Sequence, residues 1–252
     1  MASGLRVSNL SLKYGGVSAL CGLSMDLAPG EVIGLIGPNG SGKTSFLNLV
    51  TGFESPTEGT IFFEGQELTG KSAQSIARKG IARTFQNLQI FSRLSVYENM
   101  RAGCHRCSKP SSSFWQFKAA RNAEKERILS LLDCFSLADM ALDTPEALTL
   151  VQLRQLDLAR ALASEPKLIL LDEPAAGMTP YETDQLAKTL QDHVLNGRSA
   201  IIIEHKIDFI AALARRTFVL SAGRAIADGP TDEVLCNKDV RRIYLGECGW
   251  LT

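Results

Sequence analysis

The stretch EVIGLIGPNGSGKT (31–44) decides how the rest of the chain is read. Its first half, EVIGLIG (31–37), is a continuous apolar run, as expected of a strand buried on both faces. Its second half, GPNGSGKT (37–44), is G-x-x-x-x-G-K-[ST], and SFLNLVTG (45–52) continues it as a helical pattern. Strand, glycine-rich turn and helix in that order form a phosphate cradle. Gly40 and Gly42 let backbone N–H groups turn inward with no Cβ in the way. Gly37, Pro38, Asn39 and Ser41 complete the loop, and the helix N-terminus adds partial positive charge. Lys43 reaches the β- and γ-phosphates of a nucleotide, the Thr44 hydroxyl is a ligand for Mg²⁺, and Ser45 adds a phosphate contact.

A second element supplies acids. LILLDEP (168–174) runs four apolar residues into Asp172 and Glu173, at the C-terminal end of a strand, where ligands of open α/β sheets sit. Asp172 would hold Mg²⁺ through water, and Glu173 is placed to polarise an attacking water. The competing reading, two acids capping a sheet edge, fits poorly with acids that follow four apolar residues and precede Pro174. KLILLD (167–172) and SAIIIE (199–204) read as buried strands, with a helix punctuated by Pro180 and Gly197 between them. The expected fold is therefore α/β with a mainly parallel sheet. From about 90 to 164 strand signals cease, and helical patterns occupy 114–133 and 152–164. This predicts one domain over 1–252, with an α/β core (1–89 and 165–252) and an inserted helical subdomain (90–164). RTFVLSAGRAIADG (216–229) reads as a hairpin, followed by two small helices.

Bulk composition narrows the function classes. Lys plus Arg and Asp plus Glu both count 27, so no net charge draws the chain to nucleic acid or to an anionic membrane. No apolar run reaches the roughly 18–20 residues that cross a bilayer, and the N-terminus lacks a secretory pattern. A soluble, cytoplasmic chain is expected, reaching a membrane only through a partner. The six cysteines (Cys21, Cys104, Cys107, Cys134, Cys236, Cys248) form no disulfide framework. Cys104 and Cys107 have half the spacing of a metal site, with no second pair to complete it. Thiols in a reducing compartment are the simpler reading.

On these motifs the chain resembles, from end to end, the nucleotide-binding subunit of an ATP-binding-cassette (ABC) transporter. That resemblance implies a P-loop ATPase core with an N-terminal antiparallel β part, and ATP and Mg²⁺ as ligands. It gives three further residues a role. Tyr14 in KYGGVSAL matches the aromatic that stacks on adenine. Gln86 in IARTFQ matches the glutamine linking Mg²⁺ and attacking water to the membrane subunit. His205 in IIIEH matches the histidine that contacts the γ-phosphate. Taken singly, His205 and Tyr14 would be ordinary core or surface residues. Within the family, TGF, RTFQNLQIF, LSVYENM, LDEPAAGMTP, VRRIYLGE and the helical FWQFKAARNAEKE resemble the branched-chain amino acid uptake group. Similar segments occur in lipopolysaccharide-export ATPases, and GMTPYET is similar to urea-uptake ones. The resemblance implies permease subunits as partners at the inner face of the membrane, a second ATPase subunit, and indirectly a substrate-binding protein.

One loop departs from the family. LTLVQLRQLDLARALA (148–163) keeps the register of the family's LSGGQ helix, with Leu148, Gln152, Arg154, Leu156, Ala159, Arg160 and Leu162 matching. Thr149 stands for Ser or Ala, Leu150 at the variable position, and Val151 for the last Gly. In the family this loop closes over ATP held by the opposite subunit. T-x-x-Q (149–152) is a capping-box pattern, so the helix should still start there. A β-branched Val151 is expected to hinder close phosphate approach. Losing one well-aimed donor costs about 3 kcal/mol, roughly 100- to 1000-fold in rate. A degenerate loop of this kind suits a heterodimer better than a homodimer, and leaves open a subunit that scarcely hydrolyses. Thr179 is a second, milder departure, where many relatives place Asp or Asn. The basic, aromatic 101–121 segment reads either as a permease or lipid contact, or as a loop and helix whose Phe114, Trp115 and Phe117 pack inside the helical part.

Overall fold

Among the described residues ten strands divide into two sheets, and the loop at 37–44 leaves the middle of the larger one. A computed structural model describes residues 4–104, 114–238, 240 and 242, with the backbone alone for 114–119. His105, Arg106, Cys107, Cys248 and nearly all of the VRRIYLGE tail lie outside the described residues. So do the side chains of Phe114, Trp115 and Phe117.

The N-terminal part pairs β1 (Leu5–Tyr14) with β2 (Val17–Leu27). The 31–37 run becomes β3 (Val32–Ile36), and α1 (Lys43–Thr51) follows the glycine loop. Then come β4 (Glu58–Phe63), β5 (Gln66–Glu67), α2 (Ala73–Arg78) and β6 (Ile81–Arg83). The small sheet, in the order β2-β1-β4-β5, is antiparallel throughout.

Between Arg83 and Leu168 the described elements are helical: α3 (Val96–Gly103), α4 (Phe114–Cys134), two short 3₁₀ turns and α5 (Leu150–Leu162). The chain then returns through β7 (Leu168–Asp172), α6 (Pro180–Thr189), β8 (Ser199–Ile203) and α7 (Ile207–Leu213). It ends in β9 (Arg216–Ser221), β10 (Arg224–Pro230) and α8 (Thr231–Cys236). The second small helix expected after the hairpin falls largely outside the described residues.

The large sheet has the order β10-β9-β3-β8-β7-β6. Every neighbouring pair is parallel except the hairpin β9–β10 at the edge. Its inner strands β3, β7 and β8 are apolar without alternation because both faces are covered. Ile169, Leu171, Ala200 and Ile202 pack with α3, α5 and α6 on one side. Leu168, Leu170, Ile201 and Ile203 pack with Phe46, Leu47 and Val50 of α1 and with the antiparallel sheet on the other. The sheet thus clamps the helix that carries the phosphate loop.

Two boundaries differ from the sequence reading. The last helix of the inserted part begins at Leu150, two residues before the expected 152, because Thr149 caps it. The helix read as 180–197 keeps α geometry only to Thr189 and widens into a π turn over Leu190–Val194. There Leu195 N–H bonds the carbonyl of Leu190, and Leu190, Val194 and Leu195 are all buried. Among the described residues no helix is long and apolar enough to cross a membrane.

Candidate active site

The glycine loop is built for an anion. Gly40 and Gly42 have φ of 75° and 105°, and a Cβ on Gly42 would lie 2.6 Å from the carbonyl of Ala19. Gly42 caps α1 without a side-chain hydrogen bond, which leaves the first N–H groups of that helix open to a ligand. Buried Ser41 has a hydroxyl with no partner inside the protein. Lys43 folds back over the loop, its Nζ donating to the carbonyls of Gly37 (2.7 Å) and Pro38 (2.9 Å). Burial lowers the Lys43 pKa, opposed by the carboxylates of Glu173 and Asp172 nearby. An open helix end, an orphaned hydroxyl and a half-desolvated ammonium fit a nucleotide phosphate chain. Asn39 and Thr44 are exposed at the rim, with Pro38 and Ser45 half-buried beside them.

Tyr14 comes to this site from the end of β1, half-exposed, its hydroxyl donating to Glu54. Burial and the Glu54 carboxylate raise its pKa, and the Ser45 hydroxyl is close enough to oppose them. Asn48 on α1 donates to the other Glu54 oxygen at 2.8 Å, so the tyrosine is tied to the phosphate-loop helix.

Asp172 ends β7 and is buried. Its Oδ2 accepts from Arg83 Nη2 at 2.9 Å in a pair whose side chains are 5% and 4% exposed. Burial raises the Asp172 pKa, and Arg83 is the chief opposing influence. Glu173 follows with φ of 51°, its N–H bonded to Ile203 O at 3.0 Å. A non-glycine residue in that region is uncommon, and here it turns the carboxylate away from the sheet toward two partners. Gln86 Nε2 donates to Glu173 Oε2 at 3.0 Å, and His205 Nε2 lies 3.1 Å from Glu173 Oε1. Three residues expected from distant parts of the sequence therefore meet on one carboxylate. Asp172, Thr44 and Gln86 carry side-chain oxygens, the donor type that suits Mg²⁺.

The departing loop forms a capped helix start. Thr149 Oγ1 accepts from Gln152 N–H at 3.3 Å, and Gln152 Oε1 accepts from Thr149 N–H at 2.8 Å. Val151 is half-buried and packs against the core of the helical part, while Leu150 is 51% exposed. A Cβ on Gly177, in the loop after Glu173, would meet Leu150 at 3.3 Å. The side chain that coats this loop is Leu150, not Val151. Thr179 caps α6 in a second capping box with Glu182, so it serves its own helix start.

The contacts of two supporting arginines were not legible in the sequence, although Arg154 was matched there by register. Arg83 bridges Asp172 and Asn48 Oδ1 (2.7 Å) with its guanidinium 4.9 Å from the Phe85 ring centre. Arg154 Nη1 donates to Phe85 O at 3.3 Å, holding the peptide that precedes Gln86. Arginine in GIARTFQ was visible as a charge one strand residue from a buried sheet, the only signal available. Among the described residues Cys21, Cys104, Cys134 and Cys236 form no disulfide, and no cluster of three or more potential metal-ligating His, Cys, Asp or Glu side chains occurs.

Fold and site together define a P-loop nucleotide-binding protein in which Gln86, Glu173 and His205 converge beside the phosphate cradle. The chain belongs to the ABC transporter family, whose model matches residues 20–176, and it is an ATP-binding subunit of such a transporter. It is 36% identical over 251 residues to the high-affinity branched-chain amino acid transport ATP-binding protein LivG of Escherichia coli, covering 96% of this chain and 98% of the relative. It is 35% identical over 252 residues to BraF, of the same description, from Pseudomonas aeruginosa, covering 96% and 98%. Two solved structures share the fold at 30% identity and a TM-score of 0.84. One is a nucleotide-free ATP-binding cassette from an ABC transporter, covering 97% of this chain and all of that one. The other is an ATP-binding cassette of an ABC transporter in its ADP conformation, covering 98% and 100%.

Proposed function

We propose that this chain hydrolyses Mg-ATP to power the uptake of branched-chain or related amino acids through a membrane permease. The single observation that carries hydrolysis is the shared carboxylate of Glu173, bonded to Gln86 and His205 beside the cradle of Lys43. With ATP bound, Glu173 orients a water whose oxygen attacks the γ-phosphorus. The bond to the β–γ bridging oxygen breaks, ADP leaves, and Glu173 receives the water's proton. His205 donates to the γ-phosphate, and Lys43 with the open α1 N–H groups holds the phosphate chain. Thr44, Asp172 and Gln86 would hold Mg²⁺, which would supply positive charge to offset what develops on the phosphate chain. The Tyr14 ring stacks on adenine.

The substrate class rests on the relatives: LivG and BraF are described as branched-chain amino acid transport proteins along nearly their whole length. The permease is received beside Gln86. A cavity of about 440 Å³ there is lined by Phe53, Arg83, Phe85, Phe91 and Arg160, between the core and the helical part. A substrate-binding protein acts through the permease, and the chain sits at the inner face of the membrane by that contact.

A non-identical second ATPase subunit is favoured by the exposed Leu150 on the loop that faces a partner's nucleotide. A loop coated with leucine offers a γ-phosphate less than a glycine loop does, so one of two composite sites is the weaker. Steady-state Mg-ATP hydrolysis and amino acid uptake by the assembled transporter test the reading, with Glu173→Gln as the control. Uptake of leucine, isoleucine or valine that depends on Glu173 supports it; a transporter that hydrolyses ATP without moving any amino acid overturns the substrate class.

A further inference from the structure

Glu204-His205-Lys206 follows β8 and grips the loop after Glu173 from two sides. Glu204, 2% exposed, accepts from Ala175 N–H at 2.7 Å and from His205 N–H at 2.9 Å. Lys206 Nζ donates to the carbonyls of Ala175 (3.1 Å) and Met178 (2.8 Å) and to Thr183 Oγ1 (2.8 Å). The Thr183 hydroxyl in turn donates to Thr179 O at 2.8 Å. An ammonium has three N–H donors, and each has an acceptor on the 175–183 segment.

Helix electrostatics do not explain a cation here. Lys206 caps the N-terminus of α7, and Thr183 lies in the first turns of α6. Both helix ends carry partial positive charge and disfavour an ammonium. What holds the lysine is the set of three oxygens, two of them main-chain carbonyls of the loop that begins at Glu173.

We infer that Lys206 is a positioning residue for hydrolysis: its ammonium locks the 174–179 loop to the peptide carrying His205, and so sets Glu173 against His205. The inference rests on the reading that this chain hydrolyses ATP. Lys206 follows His205 directly, Ala175 lies two residues after Glu173, and the two catalytic side chains are 3.1 Å apart. Without the ammonium the carbonyls of Ala175 and Met178 lose their donor, Glu204 alone holds Ala175 N–H, and Glu173, whose left-handed backbone needs support from its surroundings, is less constrained.

Two measurements on the full chain test it. In the nucleotide-free protein, Lys206→Met, which keeps length but loses the donors, should speed amide deuterium exchange across 174–179 by about tenfold, with β7 unchanged. In steady-state assays kcat should fall by about ten- to a hundredfold, with KM for ATP within about twofold of wild type. Lys206→Ala should recover part of its kcat in propylammonium chloride and none in sodium chloride of equal strength. Unchanged exchange in Lys206→Met overturns the clamp. Faster exchange with unchanged kcat overturns the positioning role. A wild-type chain without turnover counts against the hydrolysis reading alone, and the exchange measurement still decides whether Lys206 fixes the loop.

Discussion

Arg83 and Asp172 form an ion pair of 2.9 Å with both side chains about one-twentieth exposed, between the end of β6 and the end of β7. The same guanidinium reaches Asn48 on α1, so one side chain ties the phosphate-loop helix to the acid proposed to hold the metal. Arg83→Met leaves a buried carboxylate without its countercharge. A loss of about 3–5 kcal/mol of unfolding free energy is expected in urea titrations. Arg83→Lys should recover only part of it, because a single nitrogen on a shorter side chain does not span Asn48 and Asp172 as the two nitrogens of a planar fork do. A lysine variant as stable as wild type would sink this account.

Glu173→Gln tests the shared carboxylate. The amide keeps the shape but cannot take a proton, so kcat should fall by about 100- to 10,000-fold. Binding of a fluorescent ATP analogue should persist, since Lys43 and the α1 N–H groups are untouched. Loss of binding and turnover together would mean that Glu173 supports the cradle rather than the chemistry.

The phosphate loop, Asp172 and Glu173 were legible because each motif is local and follows a strand without alternation, whereas Gln86 and His205 were marked only by the resemblance to the family. The parallel sheet followed from apolar runs at 31–37, 167–172 and 199–204, each covered on both faces. Arg83, Asn48, Glu54 and Lys206 were not legible. Each acts through at least one partner tens of residues away, and a single sequence carries no sign of which polar groups the fold will bring together. Val151 shows the reverse limit. The sequence marks the helix start at Thr149, but which neighbour faces outward depends on how α5 is rotated against the helical core, and there Leu150 faces out.

That rotation carries a prediction. Thr149→Ala removes the cap of α5 and should cost about 1 kcal/mol. Val151→Gly removes a half-buried side chain and adds helix flexibility, costing about 1–2 kcal/mol. Leu150→Ser should leave stability within about 0.5 kcal/mol, because its side chain is half-exposed. Thermal or urea unfolding of the three variants ranks them. A Leu150 variant as damaging as Val151→Gly would show that the exposed leucine is packed in solution.

Asp157 on α5 gives a pH dependence whose sign is determined. It pairs with Arg160 at 2.7 Å, but burial outweighs that pairing and raises its pKa above the ordinary 3.8. Between the ordinary and the raised value the folded chain holds a proton that the unfolded chain has released. Stability from this group is therefore complete below 3.8 and is lost as pH rises through the folded value. Glu98 and Glu182, whose pKa values are lowered by the N–H groups they cap, act in the opposite sense. The informative quantity is thus the difference between wild type and Asp157→Asn, which shares those glutamates. Measured by urea unfolding from neutral pH down toward 4.5, wild type should gain on the variant as pH falls. A difference that stays flat, or that narrows toward acid, would show that Arg160 controls Asp157 and that burial does not.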